Sequence, residues 1–313
     1  MEALAESRER RGRAARADLR MRFTGIGLLL IAILPTGAQE PSPDLYAQAT
    51  QTMLDRSFPS PQVEYVLLDA RTRKTIALRW AHPEEPVPVG SLLKPFVALA
   101  YGRMENSARK FPTVICHGKS DGCWRTGGHG SMTLAPALAE SCNAYFLRLA
   151  RELASGGGGA LERVSGEHGL PAPPAQKTAA MLIGVTPEWR IPPVAFAEAY
   201  ATLMLGGSDA TEREVIGVLL AGMRAAALPG GTAAKVGSHP GGVLAKTGTA
   251  PCVAGPGEDR CVANGDGLVM VMAPTENPRW VLLVRQRGTT GAHTAEVAGK
   301  MLASLESVHA QRR

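Results

Sequence analysis

The stretch GSLLKPFVALAY, residues Gly90–Tyr101, combines a small-residue turn with an apolar run that predicts a buried helix. Ser91 and Lys94 are the polar side chains of its first turns, and a spacing of three places them on one face of a helix. Ser91 would lie near the helix N-terminus, where free N–H groups and the helix dipole favour a developing negative charge. Because a buried ammonium is costly, Lys94 is a candidate base for a serine nucleophile.

Strand-type sequence lies on both sides of this helix. Five stretches have the composition of strands: 63–69, 75–80, 243–247, 267–272 and 280–284. Helical patterns fill most of the chain between about 91 and 227, including a helix over Met132–Ala154, and residues 292–308 predict a closing helix. This order predicts an α+β fold with a central antiparallel sheet flanked by helices and an inserted all-helical lobe. A catalytic cleft is expected where the lobe meets the sheet.

The first 38 residues differ in composition from the rest of the 313-residue chain. Residues 1–22 hold seven arginines, residues 23–35 are apolar, and Thr36–Ala38 are small, which is the pattern of a secretory signal. The apolar run is shorter than the roughly 20 residues that span a bilayer, which favours cleavage, with a short membrane anchor as the alternative. We expect an exported protein, periplasmic or at the extracytoplasmic face of the membrane, whose catalytic domain is 39–313.

The charge and the size of the chain narrow the function classes. The hydrophobic content of 45% allows a substantial core, so residues 39–313 are expected to form one globular domain. The formal net charge of +6 owes much to the arginines of the first 22 residues, and no later basic patch is interleaved with aromatic residues. Nucleic acid is therefore not an expected partner.

Five cysteines fit an exported protein, because disulfides persist in oxidising compartments. The candidate disulfides close two short loops: Cys116 with Cys123, and Cys252 with Cys261. Cys142 is left unpaired, as a small buried side chain. Zinc is the competing interpretation because His117 and His129 lie near the first pair, but neither cysteine spacing matches a common zinc motif. We therefore expect no metal and no cofactor.

Two further short motifs each occur once, Ser141-Cys142-Asn143 and Lys246-Thr247-Gly248-Thr249. Ser-x-x-Lys, Ser-x-Asn and Lys-Thr-Gly in this order and at these separations are far more specific than any one of them alone. Together they are the signature of the serine acyltransferases that include penicillin-binding proteins and active-site serine β-lactamases.

The resemblance extends beyond the three motifs. Gly90–Phe96 resembles the Gly-Ser-x-x-Lys-Pro-Phe of penicillin-binding protein transpeptidase domains. Cys123-Trp124, Gly128-His129-Gly130 and Ser141–Phe146 are similar to elongation-type class B members. Further segments continue the pattern: 222–223, 231–233, 246–250 and 273–278. The resemblance covers roughly residues 60–300 and implies a transpeptidase domain that lacks the N-terminal pedestal domain of class B members.

The resemblance implies a role for each residue of the first two motifs. Ser91 would attack a D-alanyl-D-alanine carbonyl, and Lys94 would take its proton. Ser141 would relay a proton to the leaving amine, and Asn143 would orient Lys94 and bind the substrate peptide.

The third motif would bind substrate. Lys246, Thr247 and Thr249 would hold the substrate carboxylate, and Gly248 belongs to the same binding strand. Backbone N–H groups of Ser91 and Thr249 would form the oxyanion hole. The strand carrying Lys246 would also pair with the extended peptide.

The implied function is that of a penicillin-binding peptidoglycan D,D-transpeptidase or D,D-carboxypeptidase that works through a serine acyl-enzyme. Its expected partners are peptidoglycan stem peptides, β-lactams as covalent inhibitors and other cell-wall enzymes. One alternative is a serine β-lactamase, although no Glu-x-x-Leu-Asn segment of the class A type follows Ser-x-Asn. The other alternative is a sensor of β-lactams or muropeptides, or a structural partner, that does not turn over.

Overall fold

The computed structural model describes residues 43–104, 111–156, 159–207, 209–253 and 265–310. Its helices are α1 (Pro43–Ser57), α2 (Lys94–Gly102), α3 (Leu134–Ala139), α4 (Asn143–Gly156), α5 (Ala160–Glu167), α6 (Ala179–Leu182), α7 (Pro193–Leu203), α8 (Ala210–Ala226) and α9 (Gly291–Ala310). Its strands are β1 (Val63–Asp69), β2 (Thr75–Arg79), β3 (Val87–Pro88), β4 (Val114–Cys116), β5 (Gly130–Met132), β6 (Arg190–Ile191), β7 (Leu244–Ala250), β8 (Asp266–Ala273) and β9 (Trp280–Arg287).

The secretory signal or short membrane anchor predicted for residues 1–38 lies outside these ranges. So does Cys261, the predicted disulfide partner of Cys252. Among the helices that the structure describes, none has the length and apolar character needed to cross a membrane.

The central sheet joins strands from the two ends of the chain. Its order is β2-β1-β9-β8-β7, and every neighbouring pair is antiparallel. The early strand β1 lies beside the late strand β9, with Leu67 opposite Leu282. Both predicted groups of strands are therefore present, and the α+β fold with a central antiparallel sheet is confirmed.

Each face of the sheet covers a separate apolar core. On one face, alternate residues such as Leu67 and Leu282 pack with α9 side chains. On the other face, residues such as Val66 and Leu283 pack with α2 and the helices around it. Residues Lys94–Tyr101 of α2 are all buried, and Phe96 contacts the rings of α7 edge-on or tilted. The predicted buried helix is confirmed, and it is the centre of the helical lobe.

The helix predicted over Met132–Ala154 is wrong, because the structure divides it into α3 and α4. The break lies at Ser141, whose backbone adopts φ +52, in the left-handed region. The N–H of Cys142 donates to the carbonyl of Ala137 at 2.8 Å and closes the end of α3. Such an ending usually uses glycine, so a serine in this position gave no sequence signal.

Candidate active site

A short turn carries Ser91 to the edge of β7. Residues Gly90–Leu93 form a 3-10 turn that runs directly into α2, so Ser91 precedes the α-helix rather than beginning it. Gly90 has φ +58, and a Cβ there would lie 2.8 Å from the carbonyl oxygen of Thr249. Only glycine allows this close approach, which places Ser91 against the Lys-Thr-Gly motif.

Lys94 is fully buried below this turn. Its Nζ lies 2.8 Å from the carbonyl oxygen of Ser141, 3.2 Å from Ser141 Oγ and 2.7 Å from Asn143 Oδ1. Burial disfavours the ammonium form and lowers the pKa of Lys94 to about 7, although Cys142 and Cys123 act in the opposite direction. A substantial fraction of Lys94 is therefore neutral near pH 7.

Lys246 reaches the same hydroxyl from the sheet side. It is fully buried on β7, and its Nζ lies 2.9 Å from Ser141 Oγ and 2.7 Å from the carbonyl oxygen of Thr247. Burial first, and the charge of Lys94 second, hold the pKa of Lys246 well below its usual value. The Ser141 hydroxyl thus lies between two amines that come from different motifs.

The three oxygens around Lys94 Nζ can accept from an ammonium, which would donate to all of them, and they also suit a neutral amine that accepts from the Ser141 hydroxyl. A neutral amine has two N–H groups and one lone pair, whereas an ammonium has three N–H groups and no lone pair. The two N–H groups suit the Ser141 carbonyl and Asn143 Oδ1, and the lone pair can accept the Ser141 hydroxyl. Lys246 can then donate to Ser141 Oγ, which completes a connected path for a proton from one amine to the other.

A cleft of about 770 Å³ opens above these buried groups. The side chains that line it come from all three motifs: Ser91, Ser141, Asn143, Thr247 and Thr249, together with Gly248. The structure therefore brings every predicted catalytic and binding residue to one place, with the two lysines beneath the cleft and the remaining residues around it. Their roles in a reaction stay predictions.

Two further residues of the cleft were not assigned a role from the sequence. Trp124 is 56% exposed, lines the cleft, and donates its indole N–H to the carbonyl oxygen of Ser141 at 3.1 Å. Thr232 also lines the cleft, and its Oγ1 lies 2.7 Å from Thr247 Oγ1. Both belong to segments of the family pattern, but no spacing rule connects them to Ser141 or Thr247.

The predicted disulfide between Cys116 and Cys123 is wrong. Cys116, Cys123 and Cys142 are all free and buried thiols. Strand β4 and the loop after it place Cys116 and Cys123 around His129 instead, with Sγ atoms 3.5 and 3.4 Å from its Nδ1. Cys252 is disulfide-bonded, as predicted, and its predicted partner lies outside the described residues. Cys142 is unpaired and fully buried, as predicted.

The fold is similar to solved transpeptidase domains. The TP domain of penicillin-binding protein 3 from Burkholderia pseudomallei matches with a TM-score of 0.62 at 16% identity, over 87% of this chain and 97% of that chain. The transpeptidase domain of the FtsI4 D,D-transpeptidase from Legionella pneumophila matches with a TM-score of 0.58 at 18% identity, over 85% of this chain and 97% of that chain.

A longer protein is similar as well. PBP2 from Helicobacter pylori, solved in complex with MreC, matches with a TM-score of 0.68 at 16% identity, over 83% of this chain and 63% of that chain. This chain thus spans less than two thirds of the H. pylori protein. No protein-family model and no curated protein sequence matches the chain. The chain has the fold of penicillin-binding protein transpeptidase domains.

Proposed function

We propose that the chain is a penicillin-binding serine acyltransferase that acts on D-alanyl-D-alanine stem peptides of peptidoglycan, as a D,D-transpeptidase or a D,D-carboxypeptidase. The observation that carries the proposal is the convergence of Lys94 and Lys246 on the Ser141 hydroxyl beneath a cleft that contains Ser91. Buried amines with lowered pKa values are the groups that a serine nucleophile needs for activation.

The first step forms an ester on Ser91. The Ser91 Oγ attacks the carbonyl carbon of the penultimate D-alanine, and its proton passes to the neutral Lys94 Nζ. The C–N bond to the terminal D-alanine then breaks, and the leaving nitrogen receives a proton through the Ser141 hydroxyl. The negative charge on the carbonyl oxygen is stabilised by the backbone N–H groups of Ser91 and Thr249.

The second step regenerates the serine. An amine of a second stem peptide, or water, attacks the acyl carbon of the Ser91 ester. The attacking group loses a proton to the same amine pair, the ester C–O bond breaks, and the pair returns a proton to Ser91 Oγ. The amine gives a cross-linked peptide and the water gives a free carboxylate, so the two activities differ only in the acceptor.

Lys246 and the hydroxyls beside it suit the carboxylate of the substrate. Thr247 and Thr249 line the cleft on β7, and Thr249 Oγ1 accepts the N–H of Gly291 at 3.1 Å. That contact leaves the Thr249 hydroxyl proton free to donate to a ligand. An extended peptide that enters beside β7 would place its terminal carboxylate near these donors.

The location and partners of the protein are part of the proposal. Peptidoglycan lies outside the cytoplasmic membrane, so the activity requires the export predicted from residues 1–38. A β-lactam would acylate Ser91 because its reactive amide occupies the position of the scissile peptide. The complex of the similar H. pylori PBP2 with MreC supports a cell-wall protein as a further partner.

Acylation by a labelled penicillin tests the nucleophile. Mass spectrometry of the intact treated protein should show a single adduct, and peptide mapping should place it on Ser91. The adduct should disappear in Ser91→Ala and persist in the control Ser304→Ala, whose hydroxyl donates to the Lys300 carbonyl within helix α9. No adduct on the wild-type protein at any penicillin concentration would reject the proposal.

Release of D-alanine from a stem pentapeptide separates the activities. Release without an added amine indicates a carboxypeptidase, and incorporation of an acceptor amine indicates a transpeptidase. Rapid steady-state hydrolysis of nitrocefin would instead identify a β-lactamase. Stable acylation without any release of D-alanine would favour a sensor.

A further inference from the structure

Two threonine hydroxyls from separate segments meet at the wall of the cleft. Thr247 lies on β7, and Thr232 lies in the connection between α8 and β7. Their Oγ1 atoms are 2.7 Å apart, and both residues line the cleft. Thr247 is buried and Thr232 is partly buried. The Lys-Thr-Gly motif is therefore supported by a hydroxyl that comes from outside the motif.

Backbone hydrogen bonds hold Thr232 in this position. Its N–H donates to the Ala139 carbonyl at 3.2 Å, and the N–H of Ala233 donates to the Ala226 carbonyl at 2.9 Å. A Cβ on Gly231 would lie 2.3 Å from the same Ala226 oxygen, so only glycine lets the segment lie this close to the end of α8. Thr232 is therefore fixed against α3 and α8 before any ligand binds.

The hydroxyl of Thr232 has an acceptor on its other side. Its Oγ1 lies 3.1 Å from the Ala139 carbonyl oxygen, which also receives the N–H of Thr232. A hydroxyl has one proton to donate and two lone pairs that accept. When Thr232 donates to Ala139, the proton between the two threonines belongs to Thr247, which donates to Thr232. Thr247 then has no proton left for a ligand.

A bound carboxylate requires the opposite arrangement. An ionised carboxylate only accepts hydrogen bonds, so Thr247 can bond to it only by donating its proton to it. The Thr232 hydroxyl can then turn its proton from Ala139 to Thr247 Oγ1 across the same 2.7 Å. The Ala139 carbonyl keeps the N–H of Thr232, so it is not left without a partner. Rotation of the two hydroxyls is enough, and no heavy atom has to move.

We propose that Thr232 is a positioning residue for the substrate carboxylate and acts through Thr247. Its hydroxyl donates to Thr247 Oγ1 while Thr247 donates to the carboxylate, and the hydrogen bonds of such a chain strengthen one another. Thr247 is thereby fixed as a donor next to Lys246 on the same strand. This inference rests on the proposed function, because the ligand is the terminal carboxylate of a D-alanyl-D-alanine peptide.

The other threonine of the motif does not need such a partner. Thr249 Oγ1 accepts the N–H of Gly291 at 3.1 Å, and this donor does not compete for the hydroxyl proton. Thr249 can therefore donate to a ligand without any change of partner, whereas Thr247 depends on Thr232. Loss of the Thr232 hydroxyl should affect only the contact that Thr247 makes, so the expected loss of affinity is partial.

Peptide binding to the full chain with Ser91→Ala is the direct test, because this parent variant cannot form the ester and reports affinity alone. One ligand is a stem pentapeptide that ends in D-alanyl-D-alanine. The other has ethylamine in place of the last D-alanine and lacks only the carboxylate. Added Thr232→Val should weaken binding of the first peptide about 3- to 10-fold, the usual contribution of one hydrogen bond, and leave the second unchanged. NMR titration, which suits weak peptide ligands, measures the dissociation constants.

Further variants separate this role from a structural one. Thr232→Ser keeps the hydroxyl and should bind both peptides like the parent. Because Thr232 acts through Thr247, Thr232→Val should have no further effect in a chain that already contains Thr247→Val. The control is Thr202→Val, whose hydroxyl donates to the Glu198 carbonyl within α7, away from the cleft lining. It should leave both dissociation constants unchanged.

Four results would overturn the proposal. They are a parent chain that does not bind the carboxylate peptide, equal weakening of the two peptides by Thr232→Val, unchanged binding of both, and additive losses in the double variant. The penicillin adduct on Ser91 tests the proposed function separately. An adduct with equal weakening of the two peptides would reject the positioning role alone. No adduct with selective weakening of the carboxylate peptide would retain the role of Thr232 and reject the acyltransferase.

Discussion

At the residue scale, Lys94 shows how burial lowers the pKa of a lysine. The side chain is enclosed, so its ammonium loses hydration, and no carboxylate is among its hydrogen-bond partners. Its three contacts are with two carbonyl-type oxygens and one hydroxyl, none of which carries a full charge that would stabilise the ammonium. Burial therefore favours the neutral amine, which is the form that the proposed acylation requires.

The proposed need for a neutral Lys94 amine predicts how the rate of acylation depends on pH. The neutral form of Lys94 exists above its pKa of about 7, so the acylation rate should rise with pH through this value and then level off. Lys94→Ala should slow acylation by about 10²- to 10⁴-fold, the usual contribution of a general base. Stopped-flow measurement with a chromogenic penicillin checks both, with the exposed Lys300→Ala as control. A pH-independent rate between pH 5 and about pH 9 would contradict the role.

At the element scale, helix α8 packs so closely on α3 that a single methyl group cannot be added. A Cβ on Gly222 would lie 2.9 Å from the carbonyl oxygen of Ala135, which is backbone and can give way only if α3 itself shifts. A Cβ on Gly217, in the same helix, would have no atom within 4 Å. Because α3 leads into the Ser141 turn, this close contact also supports the site.

The two glycines make a matched pair of variants. Gly222→Ala should lower the free energy of unfolding by about 1–3 kcal/mol, because overpacking displaces α3. Gly217→Ala should raise it by about 0.5–1 kcal/mol, because alanine favours the helix and meets no neighbour. Urea denaturation at 25 °C measures both, and equal effects of the two substitutions would show that α8 and α3 do not pack as described.

At the scale of the whole molecule, a buried ion pair joins strands from the two ends of the chain. Glu64 on β1 and Arg285 on β9 are both buried, and Arg285 Nε lies 2.6 Å from Glu64 Oε2. The guanidinium also lies 4.6 Å from the ring centroid of Trp80 and 3.6 Å from Asp266 on β8. The pair thus connects three strands of the sheet that supports β7.

Breaking this pair should destabilise the entire sheet. Glu64→Leu should lower the free energy of unfolding by about 3–5 kcal/mol, since it leaves a buried guanidinium without its main partner. The double variant Glu64→Leu/Arg285→Met should recover most of the loss, because it removes both charges. The exposed pair of Glu296 and Lys300 is the control, and Glu296→Gln should change stability by less than about 1 kcal/mol. A double variant less stable than the single one would contradict the account.

The amino-acid sequence by itself determined the strands of the central sheet, the buried helix α2 and the identity of the candidate site. Strand-type composition predicted the five strands of the central sheet, and an apolar run predicted the buried α2, because apolar stretches report which segments are buried. The three motifs identified Ser91, Lys94, Ser141, Asn143 and Lys246, since each motif is short and its spacing is local.

Only the tertiary structure decided what these residues contact. The sequence could not show that Lys94 and Lys246 share the Ser141 hydroxyl, because the left-handed turn at Ser141 arises from packing between α3 and α4 rather than from local propensity. The same turn places Cys142 beside Cys123, a contact that the spacing of the cysteines did not indicate. Contacts between distant segments depend on the whole fold, and both the amine pair and the thiol pair are contacts of that kind.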